Sequence, residues 1–410
     1  MNQVNAKRLR SDLESLARIG AVPREGITRT AFSTEDSLAR GWYRDRVEEA
    51  GLRLELDGLG NMVVCDLASA QEVPAVWSGS HLDTVPNGGA FDGAVGAVAA
   101  LECLRRVTEL KLELPRPLRA VVFSDEEGNY ASLLGSSGMR HGFGRAELAA
   151  MVGRDGDRLL DALAVWPWST GLPTETRVDP ARIHAFIELH IEQGARLEAA
   201  KTDIGIVTAI VGLGSAHVTF IGDVDHAGTT KMTARRDALV GAAEFIARMP
   251  DIPRAVGSDC VATAGWMRLH PNVANVVPGR AEVSLDFRDL SRANVERMGD
   301  ELEQLARRIA AERSLEVRWN AHPVISPAPL DEQVQSAIGD AAAGRGLSSM
   351  RLPSGAGHDS QNMAPLAPTG MIFIPSVGGR SHSPAELTHW PDIVNGANVL
   401  LDTMIRLAGS

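Results

Sequence analysis

Cysteine is scarce. The 410 residues hold three, Cys65, Cys103 and Cys260, far apart and odd in number. No CxxC pair occurs, so neither a disulfide framework nor a thiolate zinc site is indicated. Aromatic residues make up only 4% of the chain while aliphatic ones are plentiful, which fits an α/β protein of enzyme size with a large core. No apolar run reaches the roughly 18 residues that a membrane span needs. The opening stretch MNQVNAKRLRSDLESLARIG lacks the apolar centre of a signal peptide and reads as an amphipathic helix with Leu9, Leu13 and Leu16 on one face. Positive charge is outnumbered. The formal net charge of -11 argues against a nucleic-acid backbone or an anionic membrane surface as partner. Internal repeats and low-complexity segments are also missing. The expectation is a cytoplasmic protein with neither nucleic acid nor membrane as partner.

What is present points to two domains, the natural division for this length. STEDSLARGWYRDRVEEA reads as a helix with Ser33 as N-cap and Gly51 just past its end. Apolar runs VPAVW and LRAVVF flank AVGAVAALECLRRVTEL, and HAFIELH and GMIFI follow later. Strands alternating with helices predict a mixed, mostly parallel sheet. The stretch from 211 to 324 differs. It reads strand, helix, strand, strand, helix, strand, the order of a compact α+β unit with two helices on one face of four strands. The helix PLDEQVQSAIGDAAAGRG then returns the chain to the first pattern. The fold class expected is therefore an α/β domain, residues 1–210 and 325–410, carrying an inserted α+β βαββαβ domain, residues 211–324.

Ionisable residues gather at the ends of the predicted strands of the first domain. VPAVWSGS leads to His81 and Asp83, LRAVVFSD to Glu126 and Glu127, HAFIEL to His190, Glu192 and Gln193, and GMIFIPSVGGRS to His382. Ligands of an open parallel sheet bind beyond the carboxyl ends of its strands, so these groups can converge. Asp92 heads the following helix. A set of histidines and carboxylates without thiolates suits Zn, Mn, Co or Ni. Asp83, two residues after His81 on one side of a strand, can take the second imidazole N–H and fix the tautomer. Asp92 can bridge two ions roughly 3.5 Å apart. Of Glu126 and Glu127, one can bind metal while the other serves as general base. A lone strand-end histidine is usually an ordinary polar residue, and a DEEG run a solvated turn. Agreement among four strand ends carries the metal reading.

With GSHLDTVPNGGAFDG, SDEEGN, ELHIEQGARLE, DHAGTTKM, PNVANVVPG, LDFRD, SGAGHDSQNMA and PSVGGRSHSPAE in hand, the sequence resembles the hydantoinase/carbamoylase group of dinuclear-metal amidohydrolases, over nearly its whole length. That group includes N-carbamoyl-L-amino-acid hydrolases, allantoate amidohydrolases and β-ureidopropionases, within a superfamily shared with aminoacylases and metallopeptidases. The resemblance implies two divalent ions per subunit. His81, Asp92 and His190 match the ligands of one, and Glu127 and His382 complete the second, with Asp92 bridging. It implies Glu126 as general base and Asp83 as the residue orienting His81. It implies that His226 polarises the scissile carbonyl from the partner subunit of a homodimer built through the insert. Asn275 and Arg288 match residues that hold a substrate carboxylate, and Gln193 and His358 match polar groups lining the pocket.

The substrate implied is a small ureido acid, foremost an N-carbamoyl-L-amino acid, which hydrolysis would convert to the amino acid, CO2 and ammonia. Allantoate and β-ureidopropionate remain alternatives. An aminoacylase or dipeptidase activity, or a metal-binding protein without turnover, are further ones. Two departures bear on substrate choice. Lys231 stands where the group usually has Pro, and the loop after Glu127, NYASLLGSSG, is about two residues short and lacks an Arg-Phe pair.

Overall fold

A computed structural model describes residues 2–66 and 73–410, and the chain divides into two compact units. One comprises residues 1–208, 329–354 and 358–410, and the other residues 209–328 with 355–357. Met1, the first residue of the expected N-terminal helix, lies outside the described residues.

The larger unit is built on a mixed sheet whose seven main strands run in the order Ile204–Ile210, Thr369–Ile374, Ile183–Ile191, Ala75–His81, Leu118–Phe123, Met62–Asp66, Leu52–Leu56, with the short strands Ala328–Pro329 and Ser349–Ser354 paired to the first. The four central strands pair in parallel, and the flanking pairs are antiparallel. Ala75–His81 and Leu118–Phe123 are buried at every position, because helices cover both faces. That is why they read as apolar runs instead of alternating ones. Helix Ala94–Glu109 packs against the centre of the sheet on a face of small residues. A methyl group at Gly96 would overlap the carbonyl of Leu189, so the backbone comes this close only with glycine there. Helix Ala6–Leu16 buries Leu9, Leu13 and Leu16, and helix Thr34–Glu49 starts at Ser33, whose hydroxyl accepts the N–H of Asp36. The antiparallel pair at residues 52–66, the strand Ile204–Ile210 and the long helix Trp390–Ala408 were not separately legible as runs.

The smaller unit is a four-stranded antiparallel sheet in the order Val261–His270, Arg280–Asp289, Gly212–Ile221, Glu316–Ala321. Helices Ala238–Arg248 and Arg292–Glu312 cover one face through a core that includes Phe220, Phe245, Phe287 and Leu302. Alternating burial along Gly212–Ile221 and Arg280–Asp289 matches one covered and one open face. Asp237 caps helix Ala238–Arg248. The Thr230 hydroxyl donates to the carbonyl of His226. Among the described residues, no helix is long and apolar enough to cross a membrane.

Candidate metal centre

The strand ends of the larger unit do converge. His81 closes strand Ala75–His81, His190 lies near the end of Ile183–Ile191, and Glu126 and Glu127 follow Leu118–Phe123. Asp92 precedes helix Ala94–Glu109, and His382 sits in the loop after Thr369–Ile374. Ligand atoms of His81, Asp92 and His190 lie within 4.8 Å of one another, and so do those of Asp92, Glu127 and His382. Asp92 belongs to both groups. Its Oδ1 is 3.1 Å from His190 Nε2 and its Oδ2 is 3.2 Å from His382 Nε2, while Glu127 Oε1 is 3.3 Å from the same His382 nitrogen. Glu126 Oε2 faces His81 Nε2 at 3.6 Å.

The donor chemistry fits a divalent cation. His81 Nδ1 donates to the main-chain carbonyl of Asp83 at 2.9 Å, and His190 Nδ1 to that of Ile191 at 2.9 Å. Both rings are thereby fixed with Nε2 facing Asp92 or Glu126, the nitrogen a metal would need. Gly93, with φ of +62°, lies against the His81 ring, and a side chain there would overlap the imidazole. His81, Asp92, His190, Glu127 and His382 are the residues that could hold the metal.

The charges respond strongly to one another. Burial opposes a charged His190, yet its hydrogen bond to Asp92 and the charge there push it up to about 9. Hydrogen bonds to Asp92 and then Glu127 push His382 up to about 10. Burial would raise Asp92, but its bonds to His190 and His382 hold it well below the usual carboxylate range. Glu126, buried beside Glu127, is driven well above that range, first by desolvation and then by its neighbour's charge.

Two placements around the centre differ from expectation. Asp83 orients His81 through its main-chain carbonyl, since its carboxylate Oδ1 is 3.8 Å from Nδ1. Its Oδ2 instead accepts the Glu127 N–H at 3.2 Å and so ties two strand ends together. His358 does not line an open pocket. It is fully buried, its ring centroid 4.5 Å from that of His190 and its Nε2 on the Ser354 hydroxyl at 2.8 Å. Gln193 donates from Nε2 to Asp92 Oδ2 at 2.8 Å. Its φ of +56° and the φ of +53° at His382 place two residues of the centre in the left-handed region, where backbone strain is held by surrounding structure.

Sequence reasoning missed the groups that hold these loops. Arg29, buried, donates to the carbonyl of Leu82 at 2.6 Å, between His81 and Asp83. Arg40, also buried, bonds Asp36, the carbonyl of Gly60 and the hydroxyl of Ser124, two residues before Glu126. Glu386 accepts the main-chain N–H groups of Phe91 and Asp92. A buried arginine ends on whatever carbonyl the fold supplies, so its spacing in sequence carries no signal.

In the smaller unit, His226 lies on the short exposed strand Asp225–His226, and its Nδ1 accepts the N–H groups of Gly228 and Thr229 at 3.0 and 3.3 Å. The ring hydrogen is therefore on Nε2. Asn275 adjoins it, its carbonyl accepting the N–H of Ala227. Arg288 is not a free fork. Its Nε and Nη2 already bind both oxygens of Asp286 at 2.8 and 3.0 Å, and its Nη1 donates to the carbonyl of Gly355.

Comparison with known proteins decides what this centre belongs to. Residues 77–406 match the model of peptidase family M20/M25/M40. Over 420 residues the chain is 34% identical to an N-carbamoyl-L-amino acid amidohydrolase of Geobacillus stearothermophilus, covering 99% of both proteins. It is also 34% identical to an allantoate amidohydrolase of Bacillus subtilis, covering 97% of this chain and 96% of that one. Among solved structures it superposes on a hydantoinase/carbamoylase family amidase of Burkholderia vietnamiensis with a TM-score of 0.93 and 34% identity, covering 100% of this chain and 98% of that one. The chain belongs to the hydantoinase/carbamoylase amidases of the M20 family.

As an amidase of this family it hydrolyses non-peptide C–N bonds, of the ureido kind. Within the amidase the short loop after Glu127 is a closed turn. The Asp125 carboxylate accepts the N–H groups of Asn129, Tyr130 and Ala131, and Glu127 and Ser132 form an isolated β-bridge. Arg154 adds a hydrogen bond to the carbonyl of Glu127.

Proposed function

We propose that this amidase hydrolyses the ureido bond of an N-carbamoyl-L-amino acid, giving the amino acid, CO2 and ammonia. The observation carrying the reading is the carboxylate of Asp92, shared by two groups of ligand atoms with Glu126 beside them. His81, Asp92 and His190 would hold one divalent ion and Asp92, Glu127 and His382 a second, and such ions (Zn, Mn, Co or Ni) polarise a carbonyl and acidify water.

The chain's own groups supply the rest. Glu126 takes the proton of the attacking water and passes it to the leaving nitrogen, a task suited to a carboxyl whose proton affinity is raised by burial. His226, with its hydrogen on Nε2, donates to the carbonyl oxygen as negative charge develops there. In this reading it is the partner subunit's His226 that does so, within a homodimer formed through the inserted unit. Asn275 and the second Nη1 hydrogen of Arg288, the one not given to Gly355, hold the substrate carboxylate, and Gln193 contacts the substrate from beside Asp92. The chain's 34% identity to an allantoate amidohydrolase keeps allantoate as the second substrate to test.

The deciding measurement is ammonia release by Mn- or Zn-loaded protein on an N-carbamoyl-L-amino acid, allantoate and β-ureidopropionate. We expect the first to turn over fastest. Silence on all three by fully loaded protein would overturn the reading in favour of an acylase. Glu126→Gln should keep its metal and lose orders of magnitude in turnover, and retained activity would remove Glu126 from its role.

A further inference from the structure

We propose that Glu386 is a positioning residue for Asp92, fixing both its main chain and the hydroxyl that meets its outer oxygen. The inference rests on the reading of Asp92 as a metal ligand.

Glu386 ends the segment RSHSPAE and lies 294 positions from Asp92 in sequence. Its Oε1 accepts the N–H groups of Phe91 at 2.8 Å and Asp92 at 3.1 Å. Its Oε2 accepts the Ser381 hydroxyl at 2.9 Å, and that same hydroxyl oxygen is 2.9 Å from Asp92 Oδ2. Ser381 has one hydrogen for two carboxylates. If Asp92 Oδ2 is committed elsewhere, Glu386 remains to accept that hydrogen, so the hydroxyl is never stranded. Gln193 Nε2 completes the cluster, 2.8 Å from Asp92 Oδ2 and 3.4 Å from Ser381 Oγ.

Two features separate this from ordinary loop packing. First, Glu386 is buried, and among the described residues its hydrogen-bond partners are two main-chain N–H groups and a hydroxyl, none of them a cation. Burying a carboxylate without a cation is costly, and a neutral amide oxygen could accept the same N–H groups. What an amide cannot supply is a second negative charge beside Asp92, which favours a cation at that point. Second, the sequence leaves room for it. A methyl at Gly89 would overlap the Glu386 carboxyl, and Gly89 is not among the residues with positive φ. Glycine at 89 is thus explained by space for Glu386 and not by backbone conformation. Glu386 also closes the turn that bears His382, its N–H donating to the carbonyl of Ser383 at 3.1 Å. One carboxylate therefore links the loop carrying Asp92 to the loop carrying His382.

The test strips the full-length protein of metal and titrates Zn2+ or Mn2+ against a chromophoric chelator, for wild type, Asp92→Asn, Glu386→Ala, Glu386→Gln and Gly89→Ala. Melting of the stripped proteins is followed in parallel. Glu386→Ala should weaken metal binding by about 10 to 100-fold, the usual effect of losing a group that orients a ligand. The stripped protein should melt close to wild type. Gly89→Ala should reproduce the loss, and Gly89→Ala combined with Glu386→Ala should be no weaker than the worse single one, because both disturb one contact. Glu386→Gln should fall between, keeping an oxygen for the N–H groups without the charge. Unchanged metal affinity in Glu386→Ala, or in Glu386→Gln and Gly89→Ala should the alanine variant not fold, overturns the inference. If wild type binds no metal, or Asp92→Asn binds as well as wild type, the metal reading of Asp92 itself fails and takes the inference with it.

Discussion

At the scale of single residues, histidine titration gives a test with a definite sign. His190 and His382 are raised from 6.5 to about 9 and about 10 by the carboxylates of Asp92 and Glu127. In the metal-free protein these pairs therefore stabilise the fold fully below about pH 6.5, and the contribution is lost as pH rises through 9 to 10. Metal needs the opposite protonation state, neutral imidazole, so its affinity rises over the same window. The gap in melting temperature between metal-loaded and metal-stripped protein should accordingly widen from pH 6.5 towards 9. A constant gap would contradict the pairing of these groups around a cation. At this scale the sequence was informative where chemistry depends on residue type. The Glu126–Glu127 pair and the three strand-end histidines of the centre could be named because few other residues bind metal or move protons. It was less so where main-chain geometry intervenes. Nothing in the spelling of Asp83 distinguishes its carbonyl from its carboxylate as the partner of His81, and nothing in Arg288 announces that Asp286 has engaged its fork.

At the scale of elements, the helix Thr34–Glu49 is bound to the end of strand Leu118–Phe123 by Arg40, which also holds Asp36 one turn earlier. Both side chains are fully buried. Arg40→Met should destabilise by about 3 to 5 kcal/mol, because the buried Asp36 carboxylate is left without its cation. Asp36→Asn added to it should recover part of the loss, and denaturant unfolding of the three variants measures this. A double variant as unstable as Arg40→Met alone would show that packing, not charge, is what Arg40 supplies. Elements were legible according to their burial. Ala75–His81 and Leu118–Phe123 stand out as unbroken apolar runs, and the strands of the inserted unit by alternation. The short pair Leu52–Leu56 and Met62–Asp66 has a half-buried first strand and no clean period, so the sequence marked only a strand and a loop there.

At the scale of the molecule, the inserted unit has a core of its own, and its two ends meet. Leu213 and Ile325 exchange main-chain hydrogen bonds at 3.0 and 2.9 Å. Residues 209–328 expressed alone should therefore unfold cooperatively, with dispersed amide resonances and protected strand amides. A molten product would refute its independence. The same isolated unit, examined by sedimentation, tests whether the homodimer proposed through it forms without the rest of the chain. The order of its elements could be read from sequence because it is a contiguous stretch with one period per element. The involvement of residues 355–357 could not, because they return to it from far along the chain.

The larger unit closes on itself just as neatly, with Leu330 donating to the carbonyl of Thr208 at 2.9 Å. Each unit thus closes its own backbone beside the crossings. A change confined to the core under strands Gly212–Ile221 and Arg280–Asp289 can be made without cutting a hydrogen bond of the sheet that carries His81 and His190.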